Sequence, residues 1–342
     1  MNDDKYRNGG LVGLCNLGNT CFLNSCLQVL NHTYELHDLV DRAKYDRETP
    51  SVLNEWRELK DLMWNGEKGG VVAPHKFIRH VQTAAREKGR DIFTGWVQND
   101  ITEFLLFLID CFHTTLSIKA EVKINGTPEN GTDRLAIECY RLLASVYKRE
   151  YSVMMDLFYG IYVSTITDKT GATLHSVRPE HYFVLDLQIF LKDRMFSNLY
   201  ECLDAFTFPE MMSGENAWFN ETTGTKEDIL KGICFWSFPK ILVITLKRFS
   251  ADGTQKLDTP IDFPLENLDL SKYVRGYNAV SYKYDLFGVC NHMGGCQGGH
   301  YTAFVKNANR DWVHYNDDHV SMVENRSQIV SPMAYCLFYR KK

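Results

Sequence analysis

Cys21 and His300 are the residues of this 342-residue chain whose neighbours suit nucleophilic catalysis. Cys21 closes the run Gly13-Leu14-Cys15-Asn16-Leu17-Gly18-Asn19-Thr20, and from it Phe22, Leu23, Cys26, Leu27, Val29 and Leu30 follow at helical spacing. Asn19 or Thr20 stands where a helix cap belongs. A thiol in the first turn faces unpaired backbone N–H groups and the positive end of the helix dipole, both of which favour the thiolate. A cysteine inside an apolar helix is also an ordinary packing residue. The catalytic assignment therefore needs a base and an orienting group elsewhere in the chain.

The C-terminal third offers both. Gly298-Gly299-His300-Tyr301-Thr302-Ala303-Phe304 sets a histidine at the mouth of a strand behind two glycines, which let another backbone pass close to the imidazole. Trp312-Val313-His314-Tyr315-Asn316-Asp317-Asp318 ends a further strand in an amide and two carboxylates. If the two strands are neighbours, Asn316 or Asp317 bonds the imidazole Nδ1 and fixes its tautomer, giving a Cys-His-Asn/Asp arrangement. The competing chemistry is metal binding, because Cys290, His292, Cys296 and His300 are four ligands that zinc could use. They lack a CxxC knuckle and their second pair falls in a glycine-rich loop, so no metal is expected.

These residues need elements to hold them. Leu36, Leu39, Val40, Val52, Leu53, Trp56, Leu59, Leu62 and Met63 repeat at helical spacing through residues 35–65. Pro74 opens a charged helix that ends near Gly89. Gln98-Asn99-Asp100-Ile101-Thr102-Glu103-Phe104 starts an apolar helix in which Asp100 and Glu103 have the spacing of a capping box. Asn125 to Gly131 reads as a loop. From about Met154 the pattern changes to strands, at Phe158–Ile166, Tyr182–Leu187, Ile241–Phe249, Tyr284–Cys290, Tyr301–Lys306, Trp312–Tyr315 and Tyr335–Arg340. A helical N-terminal third and a β-rich remainder make an α+β protein with its active site in the cleft between them.

Composition narrows the function. A net charge of -5 argues against non-specific nucleic-acid binding. The ten cysteines contain no CxxC pair, and reduced thiols are expected. The polar start Met1-Asn2-Asp3-Asp4-Lys5 lacks the apolar core of a signal peptide, and no stretch is long enough to span a bilayer. A cytoplasmic or nuclear protein, acting away from membranes, is the expectation.

Five separated stretches give the chain a family resemblance: the cysteine run, Gln98 to Phe104, Leu246-Lys247-Arg248-Phe249, Gly298-Gly299-His300-Tyr301, and Trp312 to Asp317. Their order and spacing resemble those of the ubiquitin-specific proteases, from about Leu11 to Tyr339. The resemblance implies a papain-like, hand-shaped single catalytic domain over 11–342, after a short polar segment at 1–10. It would have a helical thumb (about 11–155), β fingers with adjoining palm strands (about 156–240) and a palm (about 241–342). The implied reaction is hydrolysis of the bond after the C-terminal Gly-Gly of ubiquitin, by a monomer without a cofactor.

The resemblance also implies roles. Cys21 is the nucleophile, His300 its general base, and Asn16 an oxyanion donor. The third triad position falls on Asn316, with Asp317 beside it able to share the orienting or oxyanion-supporting role. Gln98, Asp100 and Glu103 are implied to bind the ubiquitin tail, Asp100 resembling the carboxylate that holds an arginine of that tail and Gln98 a residue near the catalytic centre. Gly299 and Tyr301 resemble the walls of the tail channel, and His292 lies in a bordering loop. Many family members carry two CxxC pairs that bind zinc at the finger tips. Here those positions read Thr167-Asp168-Lys169-Thr170 and Asn220-Glu221-Thr222-Thr223, which hold no thiolate, so zinc-free fingers are expected. A protease for a ubiquitin-like modifier would share the channel. A catalytically weak ubiquitin-binding scaffold would be expected to lack one of Cys21, His300 and Asn316-Asp317.

Overall fold

The computed structural model describes residues 3–191, 193–250, 253–295 and 298–342. Seven helices come first: α1 (Cys21–Asn31), α2 (Tyr34–Arg42), α3 (Val52–Asn65), α4 (His75–Glu87), α5 (Ile101–Leu116), α6 (Gly131–Tyr147) and α7 (Val153–Phe158). The short strands β1 (Gly13–Leu14) and β2 (Val71–Val72) pair in parallel among them. Side-chain caps explain several starts. Ser51, Asn130 and Ser152 accept from N–H groups in the first turns of α3, α6 and α7, and Asp100 accepts from Thr102 N and Glu103 N at the start of α5.

Two larger sheets follow. One has the order β4 (Leu174–Tyr182), β3 (Gly160–Asp168), β11 (Ile229–Ser237) and β8 (Glu210–Met212), with the small hairpins β6 (Phe190–Leu191) to β7 (Arg194–Met195) and β9 (Trp218–Asn220) to β10 (Thr225–Glu227) nearby in the chain. The other carries the candidate site. Its order is β17 (His319–Met322), β16 (Trp312–Asn316), β15 (Gly298–Lys306), β14 (Lys283–Gly295), β18 (Ala334–Lys341), β12 (Ile241–Lys247) and β5 (Val184–Gln188), and β13 (Leu268–Asp269) pairs with β14. The helix α8 (Leu199–Thr207) packs behind it.

Alternation along these strands divides the apolar residues between two cores. Ile241, Val243, Ala303, Val305 and Phe338 face α1 and α5, whereas Leu242, Ile244, Phe304, Leu337 and Tyr339 face α8. β12 is therefore buried on both sides, which explains its apolar run, interrupted only by Thr245 before Lys247. Among the described residues no helix is long and apolar enough to cross a membrane.

Sequence reading placed a strand at Phe158–Ile166, but α7 takes Phe158 and the strand begins at Gly160. Tyr182–Leu187 is not one strand: Tyr182 ends β4 in one sheet and Val184 begins β5 in the other. α8 was not anticipated, although Asn198 accepts from Glu201 N and the Glu201 carboxylate accepts from Ser197 N, a reciprocal cap legible in the sequence.

The two stretches compared above with zinc-binding finger tips form polar turns. The Asp168 carboxylate accepts from the Thr170 hydroxyl and from the main-chain N–H groups of Thr170, Ala172 and Thr173, which together hold it well below the usual carboxylate range. Asn220 accepts from Thr222 N and donates to Glu227, which also accepts from the Thr223 hydroxyl.

Helix α1 lies directly on β14 because Gly288 leaves room for it. A Cβ at Gly288 would stand 2.5 Å from Cγ1 of Val29. Gly288→Ala should destabilise the fold by about 1–3 kcal/mol through overpacking, read by urea unfolding. Val29→Ala in the same chain should recover part of the loss.

Candidate active site

Cys21 begins α1 and is 2% exposed. Thr20 occupies the cap position without capping: its hydroxyl accepts from Leu17 N, and no side chain takes the first-turn N–H groups of α1. Asn19, at φ +56°, instead donates to Trp96 O at 3.0 Å. The sulfur lies against the main-chain N–H groups of Tyr301, Phe22 and Cys21, which favour the thiolate. Burial outweighs them and, with the Asp317 carboxylate nearby, pushes the Cys21 thiol up. The helix terminus was expected to lower it. Backbone N–H groups do act in that direction, but desolvation is larger.

His300 and Asn316 are brought together from β15 and β16, as the spacing predicts. The contact is made by the other ring nitrogen, since Nε2 rather than Nδ1 lies 2.6 Å from Asn316 Oδ1. An amide oxygen accepts, so the neutral ring carries its proton on Nε2 and keeps its lone pair on Nδ1. Asp317 Oδ2 lies 3.9 Å from the same Nε2. Asn316 is thus the direct partner and Asp317 the flanking charge.

Asp317 turns the chain from β16 to β17 at φ +51°. Its main-chain oxygen accepts from Leu14 N at 2.9 Å. Its carboxylate accepts from two amides, Asn16 Nδ2 at 2.9 Å and Asn24 Nδ2 at 2.8 Å. The Asn16 oxygen in turn accepts from Gly18 N and Thr20 N, so its amide plane is fixed from both ends. Gly13 admits this packing, because a Cβ there would lie 2.5 Å from Asp318 O.

A second group of expected residues forms a wall beside Cys21. Gln98 pairs with the Gly299 peptide as a strand would: Gln98 Nε2 donates to Gly299 O at 2.7 Å, and Gly299 N donates to Gln98 Oε1 at 2.9 Å. Asp100 both caps α5 and accepts from Tyr335 OH at 2.7 Å. The Tyr301 ring stands 4.6 Å from that of His292. Gly299 could carry no side chain, since a Cβ would fall 2.4 Å from His292 Nε2 and 2.2 Å from Met293 O. Glu103 stays exposed, and only its main-chain N–H reaches the group, through Asp100.

Three residues near the site went unassigned from sequence. Asn24 looks like any of the three amides on α1, although it falls one turn after Cys21. Arg248, fully buried, donates to Ala334 O, Leu257 O and Thr259 O and so ties its own strand end to the segment around Leu257 and Thr259. Phe249 thereby meets the rings of His292 and Tyr335 at 5.4 and 5.6 Å. Lys256 Nζ donates to His292 O at 2.7 Å. Of the four residues weighed as zinc ligands, Cys296 lies outside the described residues. Cys290 is buried beside Cys336 and Cys26, and His300 is engaged with Asn316. Among the described residues no group of three or more His, Cys, Asp or Glu side chains is placed to hold a metal ion.

A family model described as ubiquitin carboxyl-terminal hydrolase matches residues 12–339. Among curated proteins, the chain is 33% identical to ubiquitin carboxyl-terminal hydrolase 2 of Homo sapiens, over 96% of this chain and 55% of that protein. It is 31% identical to ubiquitin carboxyl-terminal hydrolase 21 of Homo sapiens, over 97% of this chain and 61% of that protein. The chain spans a little more than half the length of these relatives. Among solved structures it resembles a chain of the SAGA DUB module of Ubp8, Sgf11, Sus1 and Sgf73 bound to monoubiquitin, with a TM-score of 0.73 and 24% identity over 98% of this chain and 70% of that one. A structure of the module bound to ubiquitin aldehyde gives a TM-score of 0.72 and 23% identity over 100% of this chain and 72% of that one. At that identity these structures show the fold, which is the α+β, papain-like one expected.

Burial, followed by the charge of Lys256, holds the His292 imidazole down at about 4. Its ring signals should therefore not titrate between pH 5 and 8 in NMR spectra, and Lys256→Met should raise the midpoint. The sign for stability follows. The unfolded chain takes up this proton near pH 6.5 and the native one near 4, so stability falls as pH drops through that window.

Proposed function

The chain belongs to the ubiquitin carboxyl-terminal hydrolase family, and from that premise we propose that it is a cysteine deubiquitinase cleaving the isopeptide or peptide bond after the C-terminal Gly-Gly of ubiquitin. The observation that carries the reading is the His300 Nε2 to Asn316 Oδ1 bond of 2.6 Å, which leaves the basic nitrogen Nδ1 for a thiol at the start of α1. In this mechanism His300 Nδ1 takes the Cys21 proton as the sulfur attacks the carbonyl carbon. His300 then returns the proton to the departing amine, leaving a thioester. Water, deprotonated by the same nitrogen, hydrolyses it and restores the thiol. A thiol held up by burial fits a step in which proton transfer accompanies attack, rather than a preformed thiolate.

Asn16 Nδ2 carries two hydrogens. Asp317 accepts one, and this fixes where the other points, toward the negative oxygen of the tetrahedral intermediate. The wall built by Gln98, Gly299, His292 and Tyr301 suits one side of a passage for a tail without side chains, and Asp100 adds a carboxylate for a basic residue just before it. The groove of about 1230 Å³ bordered by Gln188 on a palm strand and by Phe208, Met211 and Ile233 on the finger side supports contact with one edge of the modifier's globular body. Thumb, palm and fingers then divide near residues 155 and 240. The nine described cysteines are all free, which suits a reducing cytoplasm or nucleus.

Cys21→Ala should abolish cleavage of a ubiquitin C-terminal fluorogenic substrate and labelling by a ubiquitin electrophile. Asn16→Ala should keep the labelling site while lowering kcat by about 10²–10³. Intact labelling after Cys21→Ala would overturn the reading. The polar turns at Asp168 and Asn220 support fingers that stand without metal, and elemental analysis of the purified protein should find no stoichiometric zinc.

A further inference from the structure

We propose that Asn24 is a positioning residue of this reaction, acting through Asp317 on both Asn16 and His300. The inference rests on the deubiquitinase reading above. Asn24 is on α1, three residues after Cys21, and is 1% exposed. Its Nδ2 donates to Asp317 Oδ1 at 2.8 Å and lies 3.3 and 3.2 Å from the main-chain oxygens of Leu14 and Cys15. One amide therefore joins the helix that carries the nucleophile, the segment that leads into Asn16, and the turn that follows Asn316.

The chemistry at Asp317 makes the amide more than a strut. That carboxylate is 12% exposed, and no lysine or arginine is among its contacts described above. Two carboxamides share the charge, one oxygen each, so the pose of one oxygen is set by the bond made to the other. With Asn24 present, Oδ1 is held against α1 and Oδ2 is left to Asn16 Nδ2 and, at 3.9 Å, to His300 Nε2. Without it, a carboxylate in a low-dielectric site draws in the remaining donors, Asn16 and the histidine, to replace the lost bond. The oxyanion donor would turn toward Asp317 and the imidazole would leave Asn316. The substrate tail touches neither change, so the effect belongs in kcat. Asn24 Oδ1 is buried without a partner, which is consistent with the amide being kept for its N–H groups.

The test is a double-mutant cycle in the full chain, read with a ubiquitin C-terminal fluorogenic substrate. Asn24→Leu, close to the native shape without the donors, should lower kcat about 10- to 100-fold, the worth of a hydrogen bond to a charged group. KM should stay within about threefold, and ubiquitin affinity in the Cys21→Ala background should be unchanged. In a chain already carrying Asp317→Asn, the same change should cost less than about threefold, because the charge it acts through is gone. Equal losses in the two backgrounds, or an unchanged kcat, would overturn the proposal. If Asn24→Leu does not fold, Asn24→Ser goes through the same cycle, and a serine hydroxyl that reaches Asp317 should restore part of kcat relative to Asn24→Ala. Failure of the unmutated chain to turn over the substrate would count against the deubiquitinase reading itself, a result distinct from an active chain with an additive cycle.

Discussion

The Asp317 carboxylate is where three parts of the chain that lie far apart in sequence are held in register. Its backbone accepts from Leu14, one oxygen is taken by Asn24 on α1, and the other is taken by Asn16. A half-buried negative charge satisfied by neutral amides is a demanding arrangement, because neither partner cancels the charge and each must be well placed. The demand explains much around it. Gly13 is small so that the N-terminal strand can reach Asp318, and Asp317 adopts a left-handed conformation so that its side chain turns back under α1. The same charge helps keep Cys21 protonated. Geometry and electrostatics at the site are thus two results of one placement.

Around that point the cleft is closed by close backbone approach rather than by bulky contacts. Gly288 brings α1 onto β14, and Gly299 lets the His292 ring sit against β15. Gln98 uses a side-chain amide where a neighbouring strand would otherwise pair, because β16 joins β15 only from Ala303 onward. The open edge of β15 is in this way satisfied by the helical part of the molecule. Arg248 does comparable work from below, spending its donors on three carbonyls so that Phe249 and Lys256 meet the wall at His292.

What could be read from the sequence was what depends on local pattern. The start of α1 at Cys21, the α5 cap at Asp100, the strand carrying His300 and the adjacent strand ending in Asn316 all follow from periodicity and residue type. What could not be read depends on tertiary surroundings. Whether Nδ1 or Nε2 meets Asn316 is set by how a strand edge rotates the ring. The direction of the Cys21 shift is set by how much protein covers the sulfur. Tyr182 to Leu187 looks like one strand because each half is apolar for its own sheet. Asn24 was invisible for the opposite reason: it is one of three amides on α1, with Gln28 and Asn31, and its meaning shows only once its partner, 293 residues away, is known.

A thiol that is covered and kept protonated has a chemical consequence of its own. Peroxides and other oxidants react with thiolates, and accessible low-pKa cysteines are the ones they convert to sulfenic and then irreversible acids. The Cys21 sulfur presents little thiolate and little surface in this conformation. Its exposure to oxidation is therefore tied to how often the protein around it opens rather than to how much of it is present, so a closed population would act as a protected reserve.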